Sequence, residues 1–246
     1  MDEVLFEEMF CSEERHWWFQ AKHQIVESLL QRFLATSSAQ PPRVADLGCG
    51  CGLMLHNLKT RYQCVGMDAS EQAIKFCAQR GLSVERGGLP TPIPFADHSF
   101  DAVLLLDVLE HLDEDAATVR SVKRLLRPNG IIIATSPAYQ WLWTTRDAHH
   151  HHRRRYQRRA FTDLFVRAGL CVRLSSYMNT VLFPIAAMER LYRRVKPLSE
   201  GVGDLAVPPR KINALMRSAF ASERHLLGRV RLPFGLSVIC VAQNRD

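Results

Sequence analysis

The residues best suited to chemistry are glycines and acids that follow short apolar runs. The segment Val44–Gly52 ends in three glycines at two-residue spacing. Glycine lets a chain turn sharply at the end of a strand and lets a ligand approach the backbone closely. Asp68 closes the next apolar run, where the acid of a doubly wound sheet binds ribose hydroxyls. This spacing predicts a site for a nucleotide-like ligand at the carboxyl edge of a parallel sheet.

A second group of polar residues follows the fourth apolar run. Asp107, Glu110 and His111 are three and four positions apart, which places them on one face if the chain turns helical there. An imidazole with an ordinary pKa near 6.5 can accept a proton at neutral pH. We therefore predict His111 as a general base or a substrate contact.

Two further clusters stand out, one of histidines and arginines and one of aromatic residues. His149–His152 precedes Arg153–Arg159, a stretch with five arginines, and Trp17-Trp18-Phe19 lies near the N-terminus. The aromatic cluster could cover a flat or cationic ligand, or it could pack a helix onto the core. Trp141 and Trp143 allow the same two interpretations.

The elements that must position these residues alternate between strand and helix, which predicts a Rossmann-like parallel sheet. We predict an N-terminal helical extension over residues 1–42 and a cap-like insert at about 178–232 within the main domain, residues 43–246. Expected strands are Arg43–Leu47, Gln63–Met67, Ser83–Arg86, Ala102–Leu106, Ile131–Thr135, Leu170–Tyr177 and Ser237–Gln243. Expected helices are Glu13–Leu34, Ser70–Gln79, Asp113–Leu126, Ala160–Ala168, Pro184–Val195 and Ile212–Leu227, with a turn at Arg127–Gly130, a linker at Thr36–Pro42 and a Pro/Gly-rich segment at Pro197–Pro209.

Composition restricts the function classes. The chain has 246 residues, of which 47% are apolar, and a net charge of +7. Its seven cysteines lack Cys-x-x-Cys spacing, which favours a reduced, cytoplasmic protein. We expect neither a leader peptide nor a membrane span. The basic residues lack a nucleic-acid-binding motif, so we expect no nucleic-acid partner.

The order of these motifs resembles the class I S-adenosylmethionine-dependent methyltransferases. The resemblance rests on Val44–Gly52, Asp68, Pro94–Asp101, Asp107–Leu112 and Leu125–Thr135. The N-terminal His-Trp-Trp-Phe sequence, Arg154-Arg155-Tyr156 and Pro233–Ser237 resemble a bacterial subgroup of small-molecule enzymes. The resemblance implies S-adenosylmethionine as methyl donor and S-adenosylhomocysteine as product.

The resemblance also implies roles for individual residues. The turn Gly48-Cys49-Gly50 would contact the methionine part of the cofactor, and Asp46 would hold its amino group. Asp68 would bind the ribose, and Ala69 would lie beside the adenine. Gly88 and Leu89 stand where the family often has an acid for the adenine, so only their backbone amides could contact that ring. The remaining expected contacts are Asp107 for the cofactor, His111 and His152 for catalysis, and Trp18, Tyr156 and Trp141 for the substrate.

Several alternatives stay open. Ubiquinone-pathway O-methyltransferases resemble this segment and hold a divalent metal on a Glu-x-x-Glu-His set, which makes Asp107, Glu110 and His111 candidate ligands. An NAD(P)-dependent oxidoreductase shares the strand, turn and acid, although the glycine spacing argues against it. A non-catalytic partner protein with the same fold is a third interpretation. A peripheral membrane enzyme is a fourth, with the basic helix ending at Val195 as the contact.

Overall fold

The computed structural model describes residues 3–34, 40–195 and 206–245. Within these ranges, seven strands form one sheet in the order β3-β2-β1-β4-β5-β7-β6. The first five strands pair in parallel, and β7 pairs antiparallel with both β5 and β6. The strands are β1 (Arg43–Leu47), β2 (Gln63–Asp68), β3 (Val84–Arg86), β4 (Phe100–Leu106), β5 (Leu126–Pro137), β6 (Cys171–Met178) and β7 (Ser237–Gln243). The predicted seven-stranded Rossmann-like sheet is confirmed.

Helices cover both faces of this sheet. Helices α5 and α7 pack on one face through Val119, Val122, Phe161 and Phe165, while α2 and α9 pack on the other. The helices are α1 (Glu3–Ser12), α2 (Trp17–Phe33), α3 (Leu53–Leu58), α4 (Glu71–Gln79), α5 (Asp115–Lys123), α6 (Thr145–His149), α7 (Arg158–Arg167), α8 (Phe183–Val195) and α9 (Arg210–Ser222). Strands β1, β4 and β5 lie between these layers, which explains the continuous apolar runs Ala102–Leu106 in β4 and Ile131–Ala134 in β5.

The N-terminal region differs from the prediction because it forms two helices where one was expected. Residues 13–15 form a turn between α1 and α2, and His16 then caps α2 by accepting a hydrogen bond at Nδ1 from the Trp18 amide, 3.3 Å away. A side-chain acceptor at this position satisfies one of the amides that begin a helix. The aromatic cluster therefore starts α2 and does not lie in the middle of a longer helix.

The fifth strand also differs from the prediction. Helix α5 ends at Lys123, and β5 already begins at Leu126, so Arg127–Gly130 belongs to the strand. A register irregularity opposite Phe100 and Ala102, together with Asn129 at φ +64°, accommodates the turn-forming residues within it.

Helices α8 and α9 lie between β6 and β7, the region where a cap was expected. The segment that joins them and the N-terminal linker fall largely outside the described residues. Among the described helices, none is both long and apolar enough to cross a bilayer.

Candidate active site

A cavity of about 1160 Å³ lies at the carboxyl ends of β1, β4 and β5. Its walls come from α1, α2, the glycine turn, the residues after β4, the loop after β5, and helices α8 and α9. Typical ligand pockets measure roughly 300–1,000 Å³, so this cavity lies just above the usual size of a ligand site.

The glycine turn after β1 brings bare backbone to the cavity. Gly48 and Gly50 have φ values of +78° and +55°, a conformation that side chains disfavour. The Gly48 amide donates to the Met67 carbonyl at 2.7 Å, which fixes the turn against β2. A Cβ on Gly48 would lie 2.8 Å from Cγ2 of Val108, so no larger residue fits there without a shift.

Asp46 presents a buried carboxyl group beside this turn. Its side chain lines the cavity, the residue is 2% exposed, and its Oδ1 has no hydrogen-bond partner among the described residues. Burial raises the pKa of Asp46 to about 7, partly offset by the nearby Lys22 ammonium. An unpaired buried oxygen costs free energy unless a ligand satisfies it, so Asp46 fits a cationic group such as a ligand's ammonium.

Lys22 supplies the opposite charge at the same end of the cavity. Its Nζ lies 2.6 Å from Oδ2 of Asp107 and 4.5 Å from the centroid of the Trp18 ring. Asp107 is strained at φ +57° and also accepts a hydrogen bond from the Thr135 hydroxyl at 2.9 Å. A cation and two acids around bare backbone match the charges of an α-amino acid, which carries both an ammonium and a carboxylate.

The residues predicted for the adenosine half do not line this cavity directly. Asp68, Ala69, Gly88 and Leu89 are not among its described lining residues. Oδ2 of Asp68 accepts from the Gly50 amide and Oδ1 from the Ser70 amide, both at 2.9 Å. Asp68 is therefore adjacent to the turn, and its contact with a ribose stays a prediction.

Helix α1 packs over the glycine turn and covers this end of the cavity. The Cys51 thiol donates to the Phe6 carbonyl, Phe10 stacks on Phe76 of α4 at 4.5 Å, and Met9 lines the cavity beside Gly50. Arg80, at the end of α4, forms ion pairs with Glu13 at 2.8 Å and Glu14 at 2.7 Å.

A hydrogen-bonded group of polar side chains from the loop after β5 lines the cavity. Asp147, 1% exposed, accepts hydrogen bonds from His152 Nδ1 at 2.9 Å, from two guanidinium nitrogens of Arg155 and from Thr144. Burial alone would raise the pKa of Asp147, but the hydrogen bonds from His152 and Arg155 hold it well below its usual range. An ionised Asp147 keeps the proton of His152 on Nδ1, which leaves Nε2 as a proton acceptor.

His111 lies next to His152, so the two predicted catalytic histidines meet at the cavity. Their ring centroids are 4.7 Å apart with the rings edge-on, and both residues line the cavity. Burial lowers the pKa of His111 to about 4, and the neighbouring His152 contributes in the same direction. His111 is therefore uncharged at neutral pH, and its ring and that of His152 face one space.

Glu110 completes a group that could hold a metal ion. One oxygen of Glu110, one nitrogen of His111 and one nitrogen of His152 lie within 4.8 Å of one another. Burial raises the pKa of Glu110 well above its usual range, and its Oε1 has no hydrogen-bond partner among the described residues. Asp107, which we also named as a candidate ligand, pairs with Lys22 and lies outside this group, so its role as a metal ligand stays a prediction.

The structure separates the three residues predicted to bind the substrate. Trp18 lines the cavity, whereas Tyr156 and Trp141 are not among its described lining residues. The Tyr156 hydroxyl donates to Oδ2 of Asp115 at 2.7 Å, and its ring packs on Phe161 in the core. Our expectation for Tyr156 is corrected, since it anchors the loop after β5 against α5. The Trp141 ring lies 5.9 Å from that of Tyr139.

Two charged residues of this site are absent from the sequence-based predictions. Lys22 lies on the face of α2 that buries Ala21, Ile25 and Val26, and a lysine within such a face indicates a paired or functional cation. Asp147 is the only acid in the basic stretch 146–159. Both signals could have been read from the sequence.

Comparison with known proteins agrees with this geometry. Residues 45–134 match the family model of a methyltransferase domain. An uncharacterised 37.1 kDa protein of transposon TN4556 from Streptomyces fradiae is 27% identical over 80% of this chain and 61% of its own length. The ubiquinone biosynthesis O-methyltransferase of Methylococcus capsulatus is 28% identical over 51% of this chain and 58% of its own length. The chain thus spans about three fifths of the length of these curated relatives.

The fold matches solved structures over nearly the whole chain. A SAM-dependent methyltransferase of Thermotoga maritima aligns with a TM-score of 0.59 and 16% identity, over 98% of this chain and 95% of its own. The sheet, the glycine turn and the domain match define a class I methyltransferase fold. The match over residues 45–134 and the shared fold confirm the resemblance to class I S-adenosylmethionine-dependent methyltransferases that the sequence shows, and they favour it over the oxidoreductase alternative.

Proposed function

We propose that this protein transfers a methyl group from S-adenosylmethionine to a hydroxyl group of a small-molecule acceptor, with S-adenosylhomocysteine as the product. The observation that carries the proposal is that one cavity contains both Asp46 with the glycine turn and the His111–His152 pair. The residues proposed for the methyl donor and the two histidines therefore face the same space.

The residues present fit the cofactor at its amino acid end. Asp46 offers an unpaired carboxylate oxygen for the ammonium, Lys22 offers a cation for the carboxylate, and the Gly48 turn allows close approach. Asp68 and the amides of Gly88 and Leu89 are proposed for the adenosine half. When bound, the cofactor supplies a methyl group on a sulfonium, which needs no further activation.

His152 is proposed as the base that takes the acceptor's proton. Asp147 holds the Nδ1 proton of His152, so the proton from an acceptor hydroxyl would move to Nε2. Arg155 keeps Asp147 ionised and in place through two hydrogen bonds, at 2.7 and 2.9 Å. His111, whose pKa burial lowers to about 4, is proposed as a contact that orients the hydroxyl.

The relatives support this class of reaction without fixing the acceptor. One is named as an O-methyltransferase of ubiquinone biosynthesis, and a base at the site suits an oxygen acceptor better than an amine. All seven cysteines are free, which supports the proposal of a reducing, cytoplasmic location.

Two experiments test the proposal. Calorimetry should show binding of S-adenosylmethionine and S-adenosylhomocysteine but not NADH; tighter NADH binding would contradict it. A small-molecule extract incubated with cofactor carrying a deuterated methyl should yield a labelled product. Binding without any labelled product in extracts that contain candidate acceptors would favour the non-catalytic partner interpretation.

A matched pair of variants tests the base. His152→Gln should lower turnover roughly 10²–10⁴-fold, the range for a lost general base. His149→Gln changes an exposed histidine of the same tract, outside the described cavity lining, and should leave turnover near wild type. Equal turnover in both variants would point to an amine or carbon acceptor that needs no base.

A further inference from the structure

Helix α8 exposes its apolar side chains. Ile185, Met188, Leu191 and Tyr192 are each 54–64% exposed, and no described residue of α8 is buried. A surface helix of a soluble domain normally turns its apolar stripe toward the core. Contiguous exposed apolar side chains mark an interaction surface.

Helix α9 adds to the same surface at its first turns. Ile212 and Leu215 are 51% and 71% exposed, whereas Phe220 and Ala221, near the end of the helix, are buried against the α2 face of the sheet. The end of α9 is thus held by the core, while its beginning offers apolar side chains to the outside.

These helices also form the mouth of the cavity. Ile185 of α8 and Ile212 and Leu215 of α9 line the cavity, although each is more than half exposed. Asp46 belongs to β1, His111 follows β4 and His152 lies in the loop after β5, so these lining residues lie at the ends of the sheet. An acceptor that spans the cavity would place a polar group at the histidines and an apolar portion between α8 and α9.

The positive charge of both helices indicates an anionic partner. Together they contain six basic residues and one acidic residue, Glu189. Arg210, Lys211 and Arg217 are exposed beside Ile212 and Leu215. Apolar side chains flanked by basic ones are the pattern of a helix that lies in the interface of an anionic membrane. A nucleic acid would use the charge but would leave the apolar residues without a partner.

We propose that α8 and α9 dock on an anionic lipid bilayer and that the acceptor is an amphiphile taken from that bilayer. The docking surface comprises Met188, Leu191, Tyr192, Ile212 and Leu215 with the basic residues around them. The acceptor's apolar chain lies at the mouth, and its hydroxyl-bearing end reaches the histidines. This second part rests on the proposed methyl transfer; the docking itself does not.

Vesicle flotation with the full chain tests the docking. We expect co-flotation with phosphatidylcholine vesicles that contain phosphatidylglycerol, weak binding to pure phosphatidylcholine, and loss of binding as salt is raised. Each basic residue near an anionic surface contributes about 5-fold in affinity, so Lys211→Gln with Arg217→Gln should weaken binding roughly 25-fold. Met188→Ser with Leu191→Ser should weaken binding to the same vesicles by at least 10-fold, because insertion of apolar side chains is lost.

A control pair lies on the opposite face of the sheet. Val166→Ser with Arg167→Gln removes one exposed apolar and one exposed basic residue from α7 and should leave flotation unchanged. Absence of wild-type binding to anionic vesicles, or equal losses in the α7 control, would overturn the proposal. So would a stable dimer by light scattering that Met188→Ser with Leu191→Ser dissociates, since a second copy would then cover the surface.

Calorimetry without vesicles keeps the two proposals distinguishable. Wild type and all these surface variants should bind S-adenosylmethionine equally, because none of the substituted residues lines the cavity. Cofactor binding without flotation would refute the docking alone. Flotation without cofactor binding would refute the methyl transfer alone. If the protein shows both flotation and cofactor binding, we expect labelled methyl in the lipid fraction of a cell extract. Label confined to water-soluble molecules would refute the amphiphilic acceptor.

Discussion

Replacing Asp46 by Asn should change cofactor affinity and protein stability in opposite directions. Asp46 is a buried carboxyl group with one unpaired oxygen, and burial raises its pKa from 3.8 to about 7. Asparagine keeps the shape and removes the charge. The cofactor-free protein then loses a buried ion, while the bound form loses a charge-assisted hydrogen bond.

The effect on stability follows from the raised pKa. A carboxyl group with a higher pKa in the folded state destabilises that state as pH rises from about 4 to about 7, and the loss persists above pH 7. With about 1.4 kcal/mol for each pKa unit, the shift corresponds to at most about 4 kcal/mol. We expect Asp46→Asn to raise the free energy of unfolding by about 1–4 kcal/mol at pH 8 and by much less at pH 4.

The effect on affinity has the opposite sign. A hydrogen bond to a charged group contributes about 1.5–3 kcal/mol, so the Kd for S-adenosylmethionine should rise roughly 10- to 150-fold at pH 8. Below pH 7 the wild-type carboxyl must first lose its proton, so its affinity should fall about tenfold per pH unit. The Asn variant should lack this slope.

Urea unfolding and calorimetry, each at pH 5 and pH 8, measure both effects. Thr118→Ser serves as a control for substitution at a buried polar position outside the described cavity lining. A variant that is destabilised at pH 8 and binds cofactor normally would refute the reasoning, because Asp46 would then be a purely structural acid.

Three further predictions concern other parts of the site. Gly48→Ala should weaken S-adenosylmethionine binding at least 10-fold in calorimetry, because its Cβ would meet Val108 at 2.8 Å; unchanged affinity would show that the turn can shift. Tyr156→Phe should lower the free energy of unfolding by about 1–2 kcal/mol in urea through the lost bond to Asp115, with cofactor affinity unchanged; weakened cofactor binding would contradict its placement. If Glu110, His111 and His152 hold a metal, chelation should abolish turnover and Mn²⁺ or Zn²⁺ should restore it; full activity in chelator, with no metal in the purified protein, would leave these groups to proton transfer alone.

The sequence predicts the sheet well because its signals are local. Leu104–Leu106 and Ile131–Ile133 are continuous apolar runs, and the structure buries nearly all of them within β4 and β5. Asp46 and the glycine turn follow from the same pattern, since the carboxyl edge of a parallel sheet is fixed by strand order. Motif spacing within one strand–turn unit therefore predicts much of the proposed donor site.

The rest of the site depends on contacts between distant segments. Lys22 reaches Asp107 across 85 positions, and Tyr156 reaches Asp115 across 41. No local pattern indicates that Tyr156 turns into the core while His152, four residues earlier, faces the cavity. His152 and Asp147 are only five positions apart. The site also needs His111, however, and the fold brings His111 next to His152 from the end of β4.

Helix α1 covers the glycine-turn end of the cavity, and this affects how a product could leave. Met9 lies over the turn, and the Phe10–Phe76 stack and the Arg80 ion pairs fasten the helix to α4. If an acceptor fills the side between α8 and α9, we expect a spent cofactor to leave past α1, which would then have to separate from α4. We expect that separation to limit turnover at saturating acceptor, as lid opening does in many enzymes. Loosening the lid by Phe10→Ala should then raise kcat and weaken retention of S-adenosylhomocysteine.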